Sequence, residues 1–151
     1  MAHAVETMAY AGEVPWHGLG KQVLPDLTPE QMLYEAGLDW SVEKIPAFAE
    51  VNGEKVAINK SALVRSSDSK VLDVVGDDWN PVQNAEAFGF FADFVSEGNM
   101  EMHTAGSLKG GQMVWALAKV GESFELFGDD RVDSYLLFSN PHQYGKSIDV
   151  R

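Results

Sequence analysis

Apolar residues recur along this chain with two periods. Over residues 85–97 they fall at Phe88, Phe91, Ala92 and Val95, the i, i+3, i+4, i+7 spacing of one helix face, and Phe90 and Phe94 widen the stripe. Asn84 stands where an N-cap belongs, and Gly98 follows the last periodic residue. A helix this aromatic belongs against a sheet. A second helix is predicted over residues 27–38. Thr28 caps it, Pro29 suits its first turn and Gln31 completes a capping box. Leu27 and Met32 have staple spacing, Met32, Leu33 and Ala36 form its apolar stripe, and Gly37 ends it in a left-handed conformation.

The remaining periodic segments alternate every second residue. Residues 42–51 lead into Asn52-Gly53, a strong hairpin signal, and residues 55–65 answer them. A turn at 66–69 and a return strand over 70–75 complete an antiparallel meander. Further strands are predicted over 100–108, 112–120, 123–127 and 131–139, whereas residues 1–26 read as irregular, with Trp16 and Leu19 anchoring a Pro/Gly-punctuated loop. The most informative stretch is 104–118, which reads as strand, tight basic glycine turn, strand. Val114, Ala116 and Ala118 alternate there with Trp115 and Leu117, so both faces are apolar. Such a strand is central in a layered domain, or a surface that receives something. The expected fold is α+β: antiparallel β-meanders with two helices, the Phe-rich helix packed on the sheet, in a single domain over 1–151. The pattern stops in mid-strand at 148–151, which predicts that this unit is the N-terminal part of a longer architecture.

With 151 residues, 45% of them hydrophobic, the chain suits one domain with a substantial core. Acidic residues outnumber basic ones by 23 to 11, giving a formal charge of -12. That charge argues against a generic duplex binder, which needs a basic face, but leaves room for a local basic groove or a basic protein partner. The absence of cysteine removes disulfides, thiolate metal sites and cysteine nucleophiles, and fits the cytosol. No long apolar run marks a signal peptide or membrane anchor near the N-terminus, and no membrane partner is expected.

Candidate chemistry is sparse. None of the four histidines, His3, His17, His103 and His142, has metal-ligand spacing to another, so no metal and no cofactor is expected. His17 and His142 sit in tight loops, where bonding to loop backbone is the plainer reading. Asp77-Asp78 and Asp129-Asp130 read as solvated turns. The turn Lys109-Gly110-Gly111 lacks P-loop spacing. Beside Trp115 it has the composition single-stranded nucleic acid binding uses: charge for the backbone and an aromatic platform for bases. Lys109 and Lys60 are the phosphate candidates and Trp115 or Trp79 the platforms; a hairpin turn and a core tryptophan are the bland alternatives. No catalytic triad, zincin helix, dinucleotide fingerprint or Walker pattern is present.

Four ordered blocks carry a family likeness. They are Pro15-Trp16-His17-Gly18-Leu19-Gly20, then Asn80-Pro81-Val82-Gln83-Asn84 before the Phe-rich helix, then residues 104–115, and last 135–140 followed by His142. Together they resemble the DUF932 family of phage/plasmid-like bacterial proteins. Trp79, where a tyrosine is more usual, and the residues around His142 depart from the family pattern. The resemblance implies a bacterial cytoplasmic setting and a mobile-element origin, and it carries no catalytic residues. In that context the expected role is a non-enzymatic DNA-metabolism accessory, binding or annealing single-stranded DNA. The order of meander and helix is loosely similar to the core of Rad52-like annealing proteins. The alternative is an acidic interaction module or DNA mimic acting on a basic host protein. A third reading, an enzyme with His17 and Asn140 in one cleft, requires those side chains to meet. Trp16, His17, Gly18, Asn140 and His142 are the motif-loop candidates, and self-association into a homo-oligomer is compatible with each reading.

Overall fold

Small residues on one face of the main sheet set the depth of the core. In the computed structural model, which describes residues 5–11, 20–24, 27–120, 124–126, 130–132, 134–143 and 146–151, that sheet has six strands. They are β1 (Val5–Ala11), β2 (Lys21–Val23), β6 (Glu101–Leu108), β7 (Met113–Lys119), β10 (Tyr135–Pro141) and β11 (Asp149–Val150), ordered β11–β10–β7–β6–β1–β2. All neighbours are antiparallel except β1 and β2, which run parallel. Ala9, Ala105, Val114, Ala116 and Ala118 are fully buried on one face. Their small side chains leave room for the aromatic rings of the helix that covers them.

That helix is α2 (Asn84–Glu97). Its Phe88 and Phe91 both meet Phe138 of β10, edge-on with centroids 6.3 Å apart and stacked at 5.2 Å. Helix α1 (Pro29–Glu35) packs beside it, with Met32 and Leu33 buried. The predicted capping box is present: Gln31 N–H donates to Thr28 Oγ1 at 3.2 Å, and Thr28 N–H donates to Gln31 Oε1 at 2.9 Å. A second sheet, β3 (Val42–Val51), β4 (Glu54–Arg65) and β5 (Val71–Gly76), contributes Val42, Leu63, Leu72 and Val75 to the same core. Asn52 and Gly53 take φ of 52° and 83°, the paired left-handed geometry of a type I′ hairpin turn. A two-stranded ribbon, β8 (Phe124–Leu126) with β9 (Asp130–Val132), completes the strands.

The α+β expectation is met, with Phe88 and Phe91 buried against the sheet; Phe90 and Phe94, expected to widen that stripe, are exposed and pack edge-on against each other, and there are four further local differences. Residues 5–11 and 21–23 are strands rather than irregular chain, and β1 is an interior strand paired to β6. Asn84 does not cap α2. Gln83 is the N-cap, without a side-chain cap bond, and the Asn84 amide turns inward to donate to the Leu38 carbonyl at 3.1 Å. Helix α1 is shorter than 27–38 and ends where Gly37 takes φ 71°. The segment 131–139 divides between β9 and β10.

Candidate functional site

The link from β5 to α2 and the end of β10 enclose a cleft of about 390 Å³, lined by Trp79, Asn80, Val82, Asn140, Lys146 and Ile148 among others. The link is held at both ends. Trp79 N–H donates to the Gly76 carbonyl at 3.1 Å, and the Gln83 side chain bonds both the N–H and the carbonyl of Val42, at 2.8 and 2.7 Å. Trp79 is half-buried and packs on the core, so its indole forms a fixed wall. Lys146 is exposed. Lys44 reaches the same link, bonding the Asp77 carbonyl and, at 3.4 Å, Asn80 Oδ1. The exposed carboxylates of Asp77 and Asp78 lie on this link too, and Asp77 Oδ1 accepts from Ser61 at 3.3 Å.

Behind the cleft lies a buried polar cluster. Asn140 and His142 are fully buried, as is Asn84 to within 1%. Asn84 spends its Nδ2 on Leu38, so its Oδ1 is an acceptor. His142 Nε2 lies 2.8 Å from that oxygen, which assigns the proton to Nε2. Asn140 Nδ2 donates to the Val82 carbonyl at 3.0 Å and approaches Asn84 Oδ1 at 3.4 Å. Two acceptors are left over: Asn140 Oδ1 and His142 Nδ1 are buried with no hydrogen-bond partner among the described residues. Burial disfavours the imidazolium and holds the His142 pKa down to about 4. The imidazole is therefore neutral at pH 7, with Nδ1 carrying a lone pair.

The Trp40 ring joins this cluster to a second one. It lies 5.5 Å from the His142 ring on one side, and the Arg65 guanidinium stands 5.1 Å from its centroid on another. Arg65 is buried and forked onto Glu6 at 2.6 and 2.9 Å and onto Asp68 at 2.7 and 3.0 Å. These bonds hold both carboxyls below their ordinary range, Asp68 at about 2. Ser107 also donates to Glu6 at 2.9 Å. The Lys109-Gly110-Gly111 turn passes directly over Arg65: a Cβ on Gly111 would lie 2.7 Å from the guanidinium, and one on Gly110 would overlap the Lys70 ammonium. All three turn residues have positive φ, 54°, 65° and 101°. Lys109 is exposed and Gly111 buried.

The structure thus divides the sequence candidates. Trp79 and Asn140 meet in the cleft, with His142 behind them. Lys60 is exposed on β4 opposite Gly76, the residue that anchors Trp79. The Lys109 turn precedes β7 at the same end of the main sheet where β10 delivers Asn140 and Pro141, since Pro141 pairs with Met113. Trp115 is not part of this group. It is half-buried on the sheet face opposite Val114, with its ring over Gly106, where a Cβ would meet Cζ2 at 2.9 Å. Trp16, His17 and Gly18 lie outside the described residues. Sequence reasoning missed Asn84 as a polar hub, Lys146 and the Arg65 fork. An asparagine at a helix start is the signal that marks Asn84, and the same signal fits an N-cap. Among the described residues, no three His, Asp or Glu side chains gather to hold a metal ion, and no helix is long and apolar enough to cross a membrane.

Comparison with curated proteins and with solved structures returns no match. A family model described as a domain of unknown function, DUF932, matches residues 71–150, more than half of the chain. That span holds the whole cleft, the Lys109 turn and three of the four blocks that carried the resemblance, the block at 15–20 lying outside it. The chain belongs to the DUF932 family.

Proposed function

We propose that this protein is a non-enzymatic accessory of DNA metabolism that binds single-stranded DNA. A base lies against Trp79 in the cleft, and phosphates run past Lys146, Lys60 and Lys109. The observation that supports this reading is the cleft itself, where a fixed indole wall and an exposed lysine come together. Stacking on an aromatic ring contributes about 1–3 kcal/mol per base whatever the base, and lysines supply the salt-sensitive backbone term. The overall charge of -12 opposes the approach of a polyanion, so binding depends on these few local cations and is strongest at low salt. The accompanying setting is the cytoplasm of a bacterial cell or phage-infected host. The alternative, an acidic module that meets a basic host protein, has the net charge behind it; the carboxylates are spread over α1, β3, β5, α2 and β6 rather than concentrated in one element.

Fluorescence anisotropy with a labelled single-stranded oligonucleotide tests the proposal. Saturable binding at low salt is expected, weakened about 10- to 100-fold by Trp79→Ala. Absence of binding to every single-stranded oligonucleotide at low salt would overturn it and leave the interaction-module reading.

A further inference from the structure

The second sheet turns an apolar face outward. We propose that two copies of the chain pair through this face, sheet on sheet, as a weak homodimer. In register, Ile45, Ala62 and Val74 form one row across β3, β4 and β5, and Glu43, Val64 and Val71 form the next. Their sequence neighbours Val42, Leu63 and Val75 are buried in the core, so these two rows face away from it. The register shift between Pro46 and Phe48 adds residues to β4 only. Strand β3 therefore carries the face on through Ala49, paired with Val56, to Val51, paired with Glu54. Ile45, Val51, Val56, Val71 and Val74 are between 41% and 54% exposed. The outer face of an antiparallel sheet is ordinarily polar, and a contiguous apolar one marks an interaction surface.

Charge, shape and area favour a second copy as the occupant. The chain has 23 acidic residues, yet by this register only Glu43 and Glu54 among the described ones stand on the face, at its two ends. Two copies that repel each other elsewhere meet here with the least opposition. Strand β4 runs down the middle, so a two-fold axis along it lays β3 of each copy over β5 of the other. The small Ala62 then lies on the axis, and Ile45 faces the partner's Val74. Lys60 is beside Gly76, which has no side chain, so its stem runs out over the glycine to the rim. With twelve residues in β4 and shorter strands beside it, the face covers roughly 400–500 Å². Two such faces bury about 800–1,000 Å² in total, the size of a weak, transient complex. Pairing edge to edge is disfavoured, because Pro46 interrupts the outer edge of β3. None of the residues lining the cleft lies on this face, so self-pairing and oligonucleotide binding are separable.

Sedimentation equilibrium of the protein without nucleic acid, from micromolar to about millimolar concentration, tests the pairing. A monomer–dimer equilibrium is expected, with Kd on the order of 10–100 μM. It should tighten as salt rises, because the two chains share one sign of charge, whereas oligonucleotide binding weakens. Val74→Asp and Val71→Lys, both at exposed positions and checked for folding by circular dichroism, should each weaken pairing at least about tenfold by burying a charge between the sheets. Leu137→Asp, at an exposed position of the main sheet, should leave it unchanged. A monomer at every concentration and salt overturns the proposal and leaves the face to a different partner. So does a dimer that survives both Val74→Asp and Val71→Lys, or one that Leu137→Asp abolishes. Oligonucleotide binding can succeed or fail without bearing on any of these results.

Discussion

His142 is a neutral base held inside the protein, and pH reports on it directly. Its pKa of about 4 lies below the ordinary 6.5, so between those values the unfolded chain takes up a proton that the folded one refuses. Stability is full above pH 6.5 and falls by about 3 kcal/mol as the pH drops to 4. Urea midpoints measured across that window should decline, and His142→Phe should flatten the slope even if it lowers the plateau. His103, whose pKa burial also lowers, supplies the residual slope. A separate loss follows as the pH falls through and below the ordinary carboxyl range, where Glu6 and Asp68, both held down by Arg65, protonate and release it. Gly106 is a second residue-scale test. A Cβ there meets the Thr7 carbonyl and the Trp115 ring. Gly106→Ala should therefore cost about 1–3 kcal/mol and change the Trp115 emission, read by chemical denaturation and fluorescence.

At the scale of elements, legibility tracked the distance over which each signal acts. The capping box at Thr28, the Asn52-Gly53 turn and the i, i+3 spacing of Phe88 and Phe91 in α2 are local, and all three stand in the structure as the pattern reads, whereas Phe90 and Phe94 lie off the buried face. Strand β1 was not legible. Alanines at 9 and 11 take one side, so the contrast between its faces is weak. What makes it a strand is β6, about a hundred residues later, through pairs such as Thr7 with Ser107. The cleft was hidden for the same reason. Trp79 and Asn140 are remote in sequence, and only the docking of α2 on β10 places them together. That docking turns on Phe138, fully buried between Phe88 and Phe91. Phe138→Ala should cost about 3–5 kcal/mol in urea unfolding, because the ring leaves a cavity that the two helix rings cannot fill without moving.

For the molecule as a whole, the question is how an acidic protein holds a polyanion. Lys109 and Lys146 stand at one end of the main sheet and Lys60 on the second sheet beside Gly76, and the remaining surface repels. Lys146→Ala should then reduce the slope of log affinity against log salt by about 0.7, the share of one phosphate on a single strand, with little effect on stability. A substitution at Lys21, which is paired with Glu35 away from the cleft, should leave that slope unchanged.

The protein has four tryptophans, so an amide-correlation NMR spectrum carries four indole N–H signals, assignable by single Trp→Phe variants. Titration with a single-stranded oligonucleotide at low salt is the most direct test of the cleft. The account predicts that the Trp79 indole signal shifts progressively while that of Trp40, buried beside Arg65, stays in place. A saturating titration that moves Trp115 and leaves Trp79 unmoved would contradict it.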